Sequence, residues 1–254
     1  MPVALAAAVL AALVPARLSA TGSPLHVAVA ANFLPTARAI ATAWARSAGA
    51  PTPRLSAGST GALYAQIRHG APYHVFLAAD AARPARLEAE GLAVPGTRFT
   101  YALGRLVLWA PRLRGAAPEA ALRTGAIRRL ALASPRTAPY GAAARAVLAG
   151  MGLWPWPGRL VVAAHVGQVP ALVRQGGAEA GFVAAAQARR LPGPRWEVPA
   201  GHHPPLHQQA VLLRRGAARA DARAFLAWLR ASATARRRIR AAGYGLPPTP
   251  EPRP

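Results

Sequence analysis

From residue 25 onward the chain alternates short continuous apolar runs with stretches of helical periodicity, and that order leaves few architectures open. A strand is expected over 25–30 and a helix over 34–48, in which Ile40 and Trp44 stand one turn apart. A strand over 54–57 and a helix over 61–69 carrying Leu63 and Ile67 follow, then a strand over 75–78 and a helix over 81–90. Strands over 105–110 and 130–133 lead to a helix over 142–151 with Ala144, Val147, Leu148 and Met151 on one stripe. Next come a strand over 160–163, a helix over 169–175, and strands over 181–184 and 209–213. The last elements are helices over 221–230, with Phe225, Leu226 and Leu229 inward, and over 233–242. Strand-then-helix repetition of this kind specifies an α/β protein with largely parallel sheets. At 254 residues the chain suits one large domain or two lobes of roughly 120 residues each.

Composition removes several classes of function. With 53% hydrophobic and 15% charged residues the chain is too apolar for wholesale disorder. It contains no cysteine, which excludes disulfides, thiolate metal sites and a cysteine nucleophile. A formal net charge of +23 arises from 31 basic residues, every one an arginine, against 8 acids. Such a charge attracts phosphate, yet the arginines occur singly or in pairs, and only Arg236, Arg237, Arg238 and Arg240 cluster densely. Nucleic-acid modules gather their cations on one face or groove, so no nucleic-acid partner is expected. The apolar run 3–14 is too short for a bilayer, which takes about 20 residues. Followed by the small residues Ser19-Ala20-Thr21-Gly22, it matches a secretory signal, over 1–20, cleaved near Ala20. The mature chain is expected to be exported, and the proline-rich stretch 247–254 to be a disordered tail.

Few residues could carry catalysis. The acids are Asp80, Glu88, Glu90, Glu119, Glu179, Glu197, Asp221 and Glu251, and no two of them make a plausible acid/base pair across a cleft. Neither a nucleophile elbow nor a phosphate-binding glycine loop is present. Asp80 is placed to cap the helix that follows it. His202, His203 and His207 are interrupted by Pro204 and Pro205 and read as a polar loop rather than a metal site. Trp44, Trp109 and Trp228 fall on apolar faces and read as core. No catalytic residue, metal or cofactor is expected.

Small polar or glycine-rich junctions stand instead where strands end and helices begin. They are Ala30-Ala31-Asn32-Phe33, Ser56-Ala57-Gly58-Ser59-Thr60-Gly61, Ala138-Pro139-Tyr140-Gly141 and His165-Val166-Gly167-Gln168. Ligands of open α/β sheets collect outside the carboxyl ends of the strands, and helix N-termini offer free N–H groups to an anion. The Ser59, Thr60 and Tyr140 hydroxyls and the Asn32 amide would add donors without charge. For each junction taken alone, ordinary helix capping explains the same residues.

The runs Val27-Ala28-Val29-Ala30-Ala31-Asn32-Phe33, Gly58-Ser59-Thr60-Gly61-Ala62-Leu63-Tyr64-Ala65-Gln66-Ile67 and Gly70-Ala71-Pro72-Tyr73-His74-Val75-Phe76-Leu77-Ala78-Ala79-Asp80 together resemble periplasmic molybdate-binding proteins, the solute receptors of molybdate ABC importers. The similarity continues over 88–109 and resumes at 138–141, 166–168, 179–184 and 208–213, so it covers nearly the whole mature chain in order. It implies a type II periplasmic binding protein of two lobes, each a mostly parallel sheet flanked by helices. Lobe 1 would hold 23–103 plus 206–246 and lobe 2 would hold 104–205. Such a monomer closes on molybdate or tungstate and delivers it to a membrane permease. The donors it implies are Ala31, Asn32, Ser59, Thr60, Tyr140 and Val166, with the principal hydroxyl of the Ser59-Thr60 pair left open. Some relatives carry a ligand tyrosine at the position of Ala184, and Tyr140 is the candidate to replace that donor. A receptor of the same fold for sulfate, thiosulfate or an organic anion is the second reading, and a basic nucleic-acid-binding protein the third.

Overall fold

A computed structural model describes residues 23–248. The expected signal segment and its cleavage near Ala20 lie outside the described residues, as does all of the expected tail beyond Pro248. Among the described residues no helix is long and apolar enough to cross a membrane.

Ten strands form two five-stranded sheets among the described residues. The first contains β1 (His26–Ala30), β2 (Arg54–Gly58), β3 (Val75–Leu77), β4 (Phe99–Gly104) and β10 (Leu206–Leu212), in the order β2-β1-β3-β10-β4. The second contains β5 (Leu106–Trp109), β6 (Arg129–Ala133), β7 (Arg159–Ala163), β8 (Ala180–Ala184) and β9 (Arg195–Glu197), in the order β7-β6-β8-β5-β9. Within each sheet a single strand opposes the rest: β10 pairs antiparallel with both β3 and β4, and β5 with both β8 and β9. The chain leaves the first sheet at Gly104, enters the second at Leu106, and returns along β10.

Helices cover both faces of each sheet. In sequence order they are α1 (Leu34–Ala48), α2 (Thr60–Arg68), α3 (Ala82–Ala89), α4 (Pro118–Arg123), α5 (Pro139–Gly150), α6 (Val169–Arg174), α7 (Ala185–Ala188), α8 (Ala220–Ala231) and α9 (Ala233–Ala241). The first, α1, has the expected bounds because its signals agree: Pro35 sits in the first turn and Gly49 ends the helix with φ 57, its N–H bonded to the Ala45 carbonyl. Ile40 and Trp44 are buried there with Val27, Phe225 and Ile239 on one face of the first sheet. Ala28, Leu63, Phe76 and Leu87 fill the other face. In the second sheet Leu106, Leu130 and Phe182 pack on one side, and Val107, Trp109 and Val183 on the other. Trp228 is only partly buried, packed against the edge of the first core.

Three elements differ from expectation with consequences for the site. The segment Phe99–Gly104, not expected as a strand, forms β4 at a sheet edge, where half-burial replaces the continuous apolar run that marks a central strand. Strand β10 starts at Leu206 rather than 209, which takes Gln208 into the sheet. Helix α5 starts at Pro139 rather than 142, because proline suits a first turn that needs no N–H. Tyr140 therefore belongs to that turn and not to the loop before it. Short β9, α4 and α7 were also not expected; three to six residues leave little periodicity to detect.

At the base of the first sheet the His26 N–H donates to His74 Nδ1 at 2.9 Å, and His26 Nε2 lies 2.8 Å from Ser56 Oγ. Burial, with Arg54 adding repulsion, holds His26 below its ordinary 6.5. Burial, with help from Arg219, does the same to His74. A histidine depressed in the folded state contributes stability that is complete above its unfolded value and is lost as the pH falls through the folded one. The thermal midpoint is therefore expected to fall between about pH 7 and about pH 5. His74→Asn, whose side-chain oxygen can accept the same bond, is expected to flatten part of that slope; an unchanged slope in thermal melts would overturn the assignment.

Candidate functional site

The carboxyl ends of β1 and β2 meet the N-termini of α2 and α5 and the turn after β7 around one small pocket. It is lined by Ala31, Asn32, Ser59, Thr60, Tyr140, His165 and Val166, together with small residues of the same junctions and Ala79 after β3. All six residues expected to supply donors thus come together. Among the described residues no carboxylate or guanidinium lines it.

Hydroxyl orientation sets the character of this pocket. Ser59 is the N-cap of α2, and its Oγ accepts from the Ala62 N–H at 3.3 Å. Thr60 Oγ1 accepts from the Ala79 N–H at 3.0 Å. The Tyr140 hydroxyl accepts from Gln208 Nε2 at 3.2 Å. Each oxygen is therefore engaged as an acceptor by the protein, which leaves its own proton to donate toward the pocket. Burial raises the Tyr140 hydroxyl well above its ordinary value of 10.0, so it keeps that proton. Backbone donors join them. The first N–H groups of a helix have no intrahelical partner, and among the described residues no turn or loop carbonyl takes those of Thr60, Tyr140 or Gly141. The same holds for the N–H groups of Asn32, Ser59 and Val166.

Two expected donors are used differently. The Ala31 N–H is bonded to the Gly58 carbonyl at 2.9 Å, so Ala31 presents a methyl wall rather than a donor. Asn32 is 3% exposed, and its Nδ2 donates to Gln208 Oε1 at 3.0 Å and to the Tyr244 hydroxyl at 3.2 Å. Its backbone N–H, rather than the side-chain amide, is left for a ligand. Tyr244 returns a hydrogen bond to the Asn32 carbonyl at 2.8 Å.

Gln208 joins these parts and was given no role by the sequence. It is 0% exposed. Its Oε1 accepts from Asn32 and lies 3.2 Å from the Tyr101 hydroxyl, which also reaches the Ala78 carbonyl at 3.0 Å. The β10–β4 register slips at Gln208/Gln209, whose partners are Ala102 and Thr100, and this bulge turns Tyr101 toward Gln208. Gly104 makes the approach of Tyr140 possible: a Cβ there would lie 2.5 Å from the Tyr140 hydroxyl and 2.9 Å from Gln208 Nε2. Gln187 holds the opposite wall, accepting from the Ala184 N–H at 3.0 Å and donating to the Val166 carbonyl at 3.2 Å. Ala184 itself is fully buried, in the same core cluster as Phe182 and Tyr140.

Asp80, Glu88, Glu119 and Asp221 are engaged elsewhere. Asp80 stands one residue before Ala81, the N-cap of α3, and serves the first turn from there, its Oδ1 accepting from the Arg83 N–H at 3.1 Å; it also pairs with the Arg83 guanidinium. Glu88 pairs with Arg98 at 2.8 Å, Glu119 with Arg123 at 3.1 Å and Asp221 with Arg219 at 2.7 Å. His203 Nδ1 lies 2.8 Å from the Pro204 carbonyl, and His202 packs edge-on to Trp196. Across the pocket, the Gly61 N–H of α2 donates to the Thr137 carbonyl at 2.8 Å, and Arg83 reaches the Arg136 carbonyl at 3.2 Å.

A family model described as bacterial extracellular solute-binding protein matches residues 25–245. The chain belongs to that family. It is 41% identical over 234 residues to the molybdate-binding protein ModA of Azotobacter vinelandii, covering 90% of this chain and 92% of that protein. With ModA of Rhodobacter capsulatus it shares 39% over 215 residues, covering 84% and 85% of the two. The solved periplasmic molybdate-binding protein of Azotobacter vinelandii superposes with a TM-score of 0.82 at 41% identity, covering 88% of this solute-binding protein and 99% of the other. The sulfate-binding protein SubI of Mycobacterium tuberculosis, at 14% identity and a TM-score of 0.68 over 89% and 87% of the chains, shares the fold.

Removing Gln208 leaves buried partners on Asn32, Tyr101 and Tyr140 unmatched. Gln208→Ala is expected to cost about 2 to 4 kcal/mol of unfolding free energy in urea titrations. Gln209→Ala, which loses a half-buried bond to Thr100 and an exposed one from Arg98, is expected to cost under about 1 kcal/mol. Equal losses would show that the Gln208 network does not organise the site.

Proposed function

We propose that this solute-binding protein captures a tetrahedral oxyanion of the molybdate and tungstate class and hands it to the permease of an ABC importer. The observation that carries this is the set of neutral hydroxyls on Ser59, Thr60 and Tyr140, whose oxygens already accept from the protein, around a pocket lined by no carboxylate. An acid in the pocket would repel an oxyanion, and an arginine would bind it as a buried ion pair with a large desolvation cost. Oriented neutral donors avoid both penalties and let the anion leave when the site opens. The identity to the two ModA proteins supports the choice of molybdate.

In this reading the donors are Ser59, Thr60, Tyr140 and the backbone N–H groups of Asn32 and Val166, with Ala31 shaping the wall. Residues 23–103 plus 206–246 and residues 104–205 form two lobes that close on the anion. Tyr140 supplies the donor that a tyrosine at Ala184 would otherwise give. The protein acts as an exported, periplasmic monomer and not as an enzyme.

Calorimetric titration with molybdate, tungstate, sulfate and a DNA duplex at low and high salt tests the proposal. One-to-one binding of molybdate or tungstate, little affected by salt, is the expected result, and the absence of any oxyanion binding would sink it. Tyr140→Phe keeps the ring and removes the proton, so molybdate affinity is expected to fall roughly ten- to a hundredfold. Unchanged affinity would remove Tyr140 from the donor set.

A further inference from the structure

His165 is the one side chain lining the pocket that can become a cation near neutral pH. It precedes Val166 at the turn after β7, and its Nδ1 is buried with no hydrogen-bond partner. Buried polar atoms are nearly always satisfied, so an orphan nitrogen on a residue that lines the pocket is open to a partner that enters with a ligand. The ring rests over Gly167: a Cβ at that position would lie 2.9 Å from Nδ1 and 3.1 Å from Cε1, so glycine is what allows the imidazole its place.

The surroundings leave the ring free to respond to an anion. Ala31 comes against Gly167 from the loop after β1, and Ser59 and Thr60 line the same pocket from α2. From α5 the titratable group facing the pocket is Tyr140, which stays protonated. Arg174, Arg189 and Arg190 line a neighbouring cleft to which Gly167 and Asn32 also contribute. Burial alone depresses His165 below 6.5, with no contribution from a charged side chain. The ring is therefore mostly neutral before binding at neutral pH.

We propose that His165 is an additional ligand of the captured oxyanion, its Nδ1 donating to one oxygen while the ring takes up a proton as the anion enters. This rests on the oxyanion reading above. The sign follows from linkage: a doubly charged anion favours the imidazolium, so binding consumes a proton and strengthens as the pH falls. His165 would make affinity depend on pH in a pocket whose other donors do not titrate in that range.

The test is calorimetry of the wild-type protein, His165→Gln and Gly167→Ala with molybdate, at about pH 6.5 and about pH 8.5, where the anion keeps its double charge. Two buffers of different ionisation heat at each pH count the protons taken up. For the wild type, net proton uptake and a Kd about three- to tenfold tighter at the lower pH are expected. His165→Gln keeps a neutral donor and is expected to bind with no uptake and a Kd that no longer varies with pH. Gly167→Ala pushes the ring from its seat with the histidine still present, and the uptake is expected to shrink. Thermal melts of each variant confirm that it is folded. If the wild type binds molybdate with no proton uptake, or if His165→Gln takes up as many protons as the wild type, the inference is overturned while the oxyanion reading stands. If the wild type binds neither molybdate nor tungstate, that reading falls and the inference with it.

Discussion

A hydroxyl group has one proton to give, and the site depends on where the protein makes that proton point. At Ser59, Thr60 and Tyr140 the oxygen is claimed from behind by the Ala62 N–H, the Ala79 N–H and Gln208 Nε2. With acceptor capacity engaged on the protein side, each proton is available on the pocket side. Three neutral groups so arranged, with unpaired N–H groups at two helix N-termini, give a region of positive potential that contains no formal charge. The +23 of the chain takes no part in the lining. Its contribution is a long-range field that salt screens beyond about 8 to 10 Å.

The topology is what lets one side chain manage so much of this. Strand β10 is the returning strand, and it lies in the first sheet between β3 and β4. Gln208 on it reaches Asn32 after β1, Tyr101 on β4 and Tyr140 on α5, residues drawn from both sides of the pocket. That reach needs the bulge at Tyr101 and the bare Cα of Gly104, where any Cβ would clash with the Tyr140 hydroxyl at 2.5 Å. The strand that completes the first sheet therefore also ties the two sides of the pocket together.

Much of this was legible in the sequence, for identifiable reasons. Elements with a strong period or clear end signals, such as α1 with Pro35 and Gly49, have the bounds that the residues predict. The four junctions at strand ends were visible because Gly, Ser, Thr and Asn there contrast with the apolar runs before them. The half-buried edge strand β4 was not, since Phe99–Gly104 has neither alternation nor a continuous apolar run. Pairing was equally hidden. Nothing in the string Gln208-Gln209 separates the residue at the centre of a buried network from its neighbour, because the difference arises from a register slip. Nor does the local sequence tell that the Ala31 N–H is taken by Gly58, while that of Asn32 is left open. His165 stood in a junction singled out for its backbone, and its buried ring nitrogen emerged only in three dimensions.

The Gln208 network has a mechanical side. Its members are fully or nearly fully buried and bonded to one another, so none can move toward a ligand without breaking a bond elsewhere. A loose set of donors would contract around a smaller tetrahedron and hold it almost as well. A stiff one cannot, and it leaves part of its hydrogen-bonding capacity unused when the guest is too small. On the proposed donor set, stiffness behind the donors would turn a difference of bond length in the anion into a difference of binding free energy.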